Sequence, residues 1–136
     1  MSNSQFTVEF RIYGKALDPI DVTRRLGESP CQTVLPGSRR AGRILEGMWA
    51  FNGNERGNVG TREWTTLEEG LAFLLEKLWS RREVITQYKA TGRLIWWCGQ
   101  FQTAPNSGAI ISGKLLAKLG EFGADLFIDT YSSRPD

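Results

Sequence analysis

The chain has 136 residues, 17 basic and 15 acidic, for a formal net charge of +2. That balance is too mild to point to a nucleic acid or a membrane surface as partner. Histidine is absent, which excludes Ser-His and Cys-His nucleophiles, imidazole general bases and histidine metal ligands.

Residues 6 to 13, FTVEFRIY, set Phe6, Val8, Phe10 and Ile12 on one side and Thr7, Glu9 and Arg11 on the other. This is the period of a half-buried strand. Asp18-Pro19 follows as an N-cap with proline at the first helical position, and Gly27 closes the segment. The signals predict a helix over 19–26 with Ile20, Val22 and Leu26 inward.

CQTVL, 31–35, reads as a short strand ended by the Pro36-Gly37 turn, and RILEGMWAF, 43–51, as a longer one. NGNERGNVG, 52–60, is a loop. Thr66-x-x-Glu69 is a capping box, and Leu67, Leu71, Leu74, Leu75, Leu78 and Ile85 recur at helical spacing. A helix continuous to Lys89 would run roughly 35 Å, and a break near Trp79-Ser80 fits the pattern equally.

After Ala90-Thr91-Gly92, the stretch LIWWCGQF is apolar on both parities: Leu94, Trp96 and Cys98 on one, Ile95, Trp97 and Phe101 on the other. Such a strand is expected at the centre of the sheet, covered on both sides. Ser112 opens a last helix with Leu115, Leu116, Leu119 and Phe122 inward and Gly123 at its stop. ADLFIDTY, 124–131, is the final strand.

The order β-α-β-β-α-β, then α-β, predicts an α+β two-layer sandwich. Its ferredoxin-like core carries an extra C-terminal α-β unit, and helices cover one face of a mixed, mostly antiparallel sheet. The whole chain, 1–136, reads as one domain with loose ends at 1–4 and 132–136. A domain of this length buries roughly 68% of its unfolded surface. Cys31 and Cys98 have no metal or CxxC spacing, and neither a signal peptide nor a membrane-spanning run is expected, so the expected compartment is the cytoplasm with free thiols.

LDPIDVTRRLGESP near the start, TLEEGLAFLLEKL in the middle and SGKLLAKLGEFGADLFIDTY at the end together resemble the bacterial domain-of-unknown-function family 4279. The resemblance runs from about Phe6 to Tyr131 and is carried by the order and spacing of these segments, with Arg39 to Trp64 the tract that departs most. It implies a stand-alone bacterial protein of this fold, and no activity, cofactor or catalytic residue.

Cys98, mid-strand beside two tryptophans, reads as core, and Cys31 as more accessible. Asp125 and Asp129 share a strand face but stand about 13 Å apart, too far for an acid and base pair within one strand. Glu46 on a neighbouring strand could complete a site with Asp129. The 52–60 loop lacks the Lys-Ser/Thr of a P-loop. Arg39, Arg40 and Arg43 cluster after the Pro-Gly turn, and with Trp49 and Trp64 they make the candidate binding surface, because arginine and tryptophan are enriched at interface hot spots. No catalytic residue, metal ligand or cofactor is assigned.

The last strand offers Phe127 and Tyr131 on one parity and Leu126 and Ile128 on the other. With Ile95, Trp97 and Phe101 there is apolar material for both sheet faces, the second to be covered by the 52–64 loop, another subunit or a partner. The leading expectation is a non-enzymatic module that binds another protein or a second copy of itself, an immunity-type role being one form. The alternative is a small-ligand binder or carboxylate enzyme with a pocket between the sheet and the 52–64 loop.

Overall fold

The computed structural model describes residues 4–53, 63–102 and 108–131. In chain order its elements are β1 (Ser4–Gly14), α1 (Pro19–Leu26), β2 (Gln32–Val34), β3 (Arg39–Arg40), β4 (Arg43–Ile44), β5 (Gly47–Phe51), α2 (Leu67–Leu78), α3 (Arg82–Gln87), β6 (Gly92–Gln102), α4 (Gly113–Gly120) and β7 (Asp125–Tyr131).

The alternation in β1 places it at the middle of a five-stranded sheet of order β2-β5-β1-β6-β7. β5 and β6 run antiparallel to β1, β2 antiparallel to β5, and β7 parallel to β6. Two parallel pairs, β1/β2 and β5/β6, therefore each enclose one antiparallel strand. This is an α+β arrangement compatible with the expected ferredoxin-like core, and β7 adds a fifth strand at one edge.

Register decides which parity is buried. Phe10 lies opposite both Phe51 and Trp96, Ile12 opposite Trp49 and Leu94, and Val8 opposite Cys98. These residues form one cluster with Val22 and Leu26 of α1, the leucines of α2, Ile85 of α3, and Leu115 and Leu119 of α4. All four helices thus cover the same face. Trp96 sits at the centre, edge-on to Phe10 at 4.6 Å and to Phe122 at 5.2 Å.

The helix starts are capped as the sequence predicts. Asp18 accepts the Ile20 amide at 3.0 Å, Thr66 the Glu69 amide at 3.2 Å, and Ser112 the Leu115 amide at 3.2 Å. α1 ends where Gly27 takes a left-handed φ of 70°. The long helix breaks at Trp79–Arg81, which forms a tight 3-10 turn before α3.

Four expectations are corrected. Ile20 is 74% exposed, because residues two apart on a helix point about 200° from each other and Val22 takes the buried side. Leu116 is 47% exposed, since the apolar stripe of α4 follows Leu115, Leu119 and Phe122. The expected 43–51 strand divides into β4 and β5, and β4 pairs with a strand, β3, that the pattern did not signal. β6 has strands on both sides, but β1 is central, and helices cover only one face of β6.

Two substitutions test this account. Thr66→Ala removes the α2 cap and is expected to lower stability by about 1 kcal/mol in urea unfolding. Ala41→Gly is expected to raise it by about 1 kcal/mol, since Ala41 holds a φ of 50° in the β3–β4 turn.

Candidate functional site

The β3–β4 hairpin extends from the β2–β5 edge of the sheet. The Gly37 amide donates to Leu45 O at 2.9 Å and the Leu45 amide to Ser38 O at 2.7 Å, so the ladder continues irregularly into the hairpin. Ala41 and Gly42 both have positive φ, 50° and 76°, as a two-residue primed turn requires. Arg40 lies directly opposite Arg43, and Arg39 opposite Ile44. All three arginines are exposed. The ion pairs among the described residues are Arg11–Glu9, Arg24–Asp21 and Arg93–Glu46, and none involves Arg39, Arg40 or Arg43. Ile44 and Leu35 add exposed apolar surface beside them.

The two tryptophans of the sequence-predicted surface lie elsewhere. Trp49 is fully buried, opposite Ile12, and its indole N–H donates to Thr23 Oγ1 at 3.0 Å. Trp64 is half-buried, bridged to Phe6 through two backbone hydrogen bonds of 2.7 and 2.8 Å, with its ring 5.2 Å from that of Phe73. A Cβ on Gly70 would come within 2.8 Å of Trp64 Cδ1, so Trp64 occupies space that only glycine leaves on α2. The arginines stand together; the tryptophans pack on the helix side. For Trp49, its parity with Phe51 was the available signal; Trp64 meets Phe6 only through the tertiary fold.

The sheet face that no described helix covers is organised around a residue that sequence reasoning did not assign. Arg11, central on β1, pairs with Glu9 through Nε at 2.8 Å and donates from a terminal nitrogen to Tyr13 Oη at 2.9 Å. Its guanidinium lies 3.9 Å from the Trp97 ring centroid. Burial works against the Arg11 charge, but its hydrogen bonds to Tyr13 and Glu9 and the Glu9 charge outweigh it, so its pKa is raised.

From the β7 side, Phe127 approaches Trp97 to 4.4 Å between ring centroids. Trp97 is thus flanked from both neighbouring strands. Further along, Phe101 stacks on Tyr131 at 4.9 Å, and Tyr131 Oη donates to Asp129 at 2.6 Å. That hydrogen bond holds the Tyr131 hydroxyl pKa above its usual value.

The carboxylates do not converge. Glu46 pairs with Arg93 beside Gly47, which lies opposite Gly14. Asp129 lies beside Gly99, which faces Thr7. Seven residues of β1 separate the two levels, about 23 Å at the strand rise. Among the described residues no three acidic or cysteine side chains stand close enough together to hold a metal ion. A cleft of about 430 Å³ lies between α2 and α4, lined by Leu75, Glu76, Trp79, Lys114, Leu115 and Lys118. The expected pocket under the 52–64 loop involves residues 54–62, which lie outside the described residues. Among the described residues no helix is long and apolar enough to cross a membrane.

The class of protein so defined is an α+β sandwich with one helix-covered sheet face, one aromatic face without a helix among the described residues and a basic hairpin at one edge. The chain belongs to the family described as Domain of unknown function (DUF4279), which matches residues 4–133. No curated protein matches the chain, and no solved structure does.

The thiols give a direct check. Burial raises the Cys98 pKa to about 12, and no alkylation is expected before unfolding. For the exposed Cys31, partial burial of the thiol and then the Glu9 carboxylate raise the pKa from 9.0 to about 11. A shift of two units lowers its thiolate fraction about 100-fold at any pH below both values. Mass spectrometry of iodoacetamide-treated native protein is therefore expected to show slow labelling at Cys31, rising about tenfold per pH unit, and none at Cys98.

Proposed function

We propose that this protein is a non-enzymatic protein-interaction module of the bacterial cytoplasm that engages an acidic protein surface through Arg39, Arg40 and Arg43. The observation that carries this reading is Arg40 set directly opposite Arg43 on an exposed hairpin with no counter-charge among the described residues. Like charges opposed across a two-stranded ladder destabilise it, as does alanine in a left-handed turn position. A carboxylate-bearing partner relieves the repulsion and uses the planar, bidentate geometry of guanidinium. Exposed Ile44 and Leu35 supply apolar contact next to the charges. An immunity-type role, neutralising a toxin by occupying its surface, is one form such a module takes.

The open sheet face supports a protein rather than a nucleic acid as partner. Trp97 is already engaged by Arg11 and Phe127 from the two neighbouring strands, so it offers no free platform for a stacked base. Glu9, Asp125 and Asp129 on the same face would repel phosphate. The small-ligand alternative is supported by the cleft beside Trp79 between α2 and α4. Its volume falls within the usual range for ligand sites.

The triple substitution Arg39→Glu, Arg40→Glu, Arg43→Glu tests the hairpin. Affinity capture from a bacterial host lysate, quantified by mass spectrometry, is expected to lose at least about tenfold of the specific partner signal. The midpoint of thermal unfolding is expected to stay within about 2 °C, because exposed substitutions away from packing change stability little. Equal capture by the charge-reversed protein would remove the hairpin from the reading.

A further inference from the structure

We propose that the acidic surface received by the hairpin is on a second copy of this chain, at its β7 edge, so that copies associate head to tail through opposite edges of the sheet. This inference rests on the reading of the hairpin as a docking element and adds the identity of its partner.

The two edges of the sheet differ in charge. From Gln32 to Leu45, along β2 and the hairpin, the chain carries three arginines and no acidic residue. β7, at the other edge, carries Asp125 and Asp129 and no basic residue.

Both edges also expose apolar side chains. On β7, Leu126, Phe127, Ile128 and Tyr131 are each between 40% and 43% exposed. Leu126 and Ile128 lie on the parity of Trp96 and Cys98, whereas Phe127 and Tyr131 lie on that of Trp97 and Phe101. An edge strand with no second partner among the described residues and apolar side chains showing on both faces is a template for another chain.

Charge selects the mode. A two-fold contact of β7 with β7 would bring four aspartates together, and one of hairpin with hairpin six arginines. Both arrangements repel. A contact of the hairpin edge with the β7 edge pairs opposite signs and buries Ile44 and Leu35 against the β7 side chains. Such a contact is heterologous, and each pair of copies keeps one free edge of each kind, so the series is a chain or a closed ring.

The test uses the full-length protein in sedimentation velocity at low salt, from about 10 μM to about 1 mM. The wild type is expected to form species larger than a dimer as concentration rises. The self-association constant should weaken about tenfold or more in high salt, where the Debye length drops to about 3 Å.

Two variants that break one edge each, Arg39→Glu/Arg40→Glu/Arg43→Glu and Asp125→Lys/Asp129→Lys, are expected to be monomeric alone. Mixed, they are expected to assemble again into species larger than a dimer, because the intact pair of edges and the charge-reversed pair are each of opposite sign. If the lysine variant melts early, Asp125→Asn/Asp129→Asn takes its place, and this mixture is expected to stop at a 1:1 dimer because the reversed hairpin meets no cation.

A wild type that stays monomeric throughout overturns the inference. So does a mixture that does not dimerise, or a variant that self-associates as the wild type does. Loss of lysate capture by the arginine variant, alongside a monomeric wild type, would sink the second-copy partner while leaving the hairpin reading intact. Retained capture would sink that reading as well.

Discussion

The antiparallel ladder between β1 and β6, eleven residues on each strand, is the constraint on which the rest of the molecule depends. Its register sets Phe10 against Trp96 and Val8 against Cys98, so the large side chains of both strands leave the sheet on the same side. A slip of one residue would send Trp97 into the core and Trp96 into water. It would also separate Arg11 from Trp97. Both layers take their form from this pairing: the helices because Trp96 and Phe10 give them a surface, the open face because Arg11 and Trp97 become neighbours.

The open face manages its aromatic load internally. Trp97, Phe127, Phe101 and Tyr131 pack on one another across β6 and β7, and Arg11 lies along Trp97 while its charge is met by Glu9. A row of rings supported from both sides covers a sheet without a helix. The strands in this region bury little at the margin, however, and β7 is exposed along nearly its whole length. Interaction potential is therefore concentrated at the sheet's edges, where backbone is unpaired and the charges differ in sign.

The basic cluster of the hairpin could be read from the order of residues alone, since Arg39, Arg40 and Arg43 fall within five positions. The hairpin that carries them could not, because Ser-Arg-Arg-Ala-Gly-Arg lacks the Asn-Gly or Asp-Gly signal and uses alanine in a left-handed position. Trp49 and Trp64 flank a loop in sequence, and that adjacency says nothing about direction. Trp49 belongs to the parity of Phe51, and Trp64 fills the space above Gly70. Arg11 went unassigned for the opposite reason: on β1 it is merely the polar half of an alternation until Trp97 arrives beside it.

By itself the sequence determined the local elements whose causes are local. Asp18, Thr66 and Ser112 cap helices because a side-chain oxygen reaches an amide two or three residues on. The β1 alternation and the α2 leucines state a buried side whatever they pack against, and the absence of histidine excludes whole chemistries without any fold. Only the tertiary structure decided the strand order, which parity of LIWWCGQF the helices cover, that Ile20 and Leu116 face water, and that Glu46 and Asp129 never meet. Those outcomes depend on residues far apart in the chain coming into register. Periodicity gives a residue's side of its own element; the neighbouring element decides whether that side is core or surface.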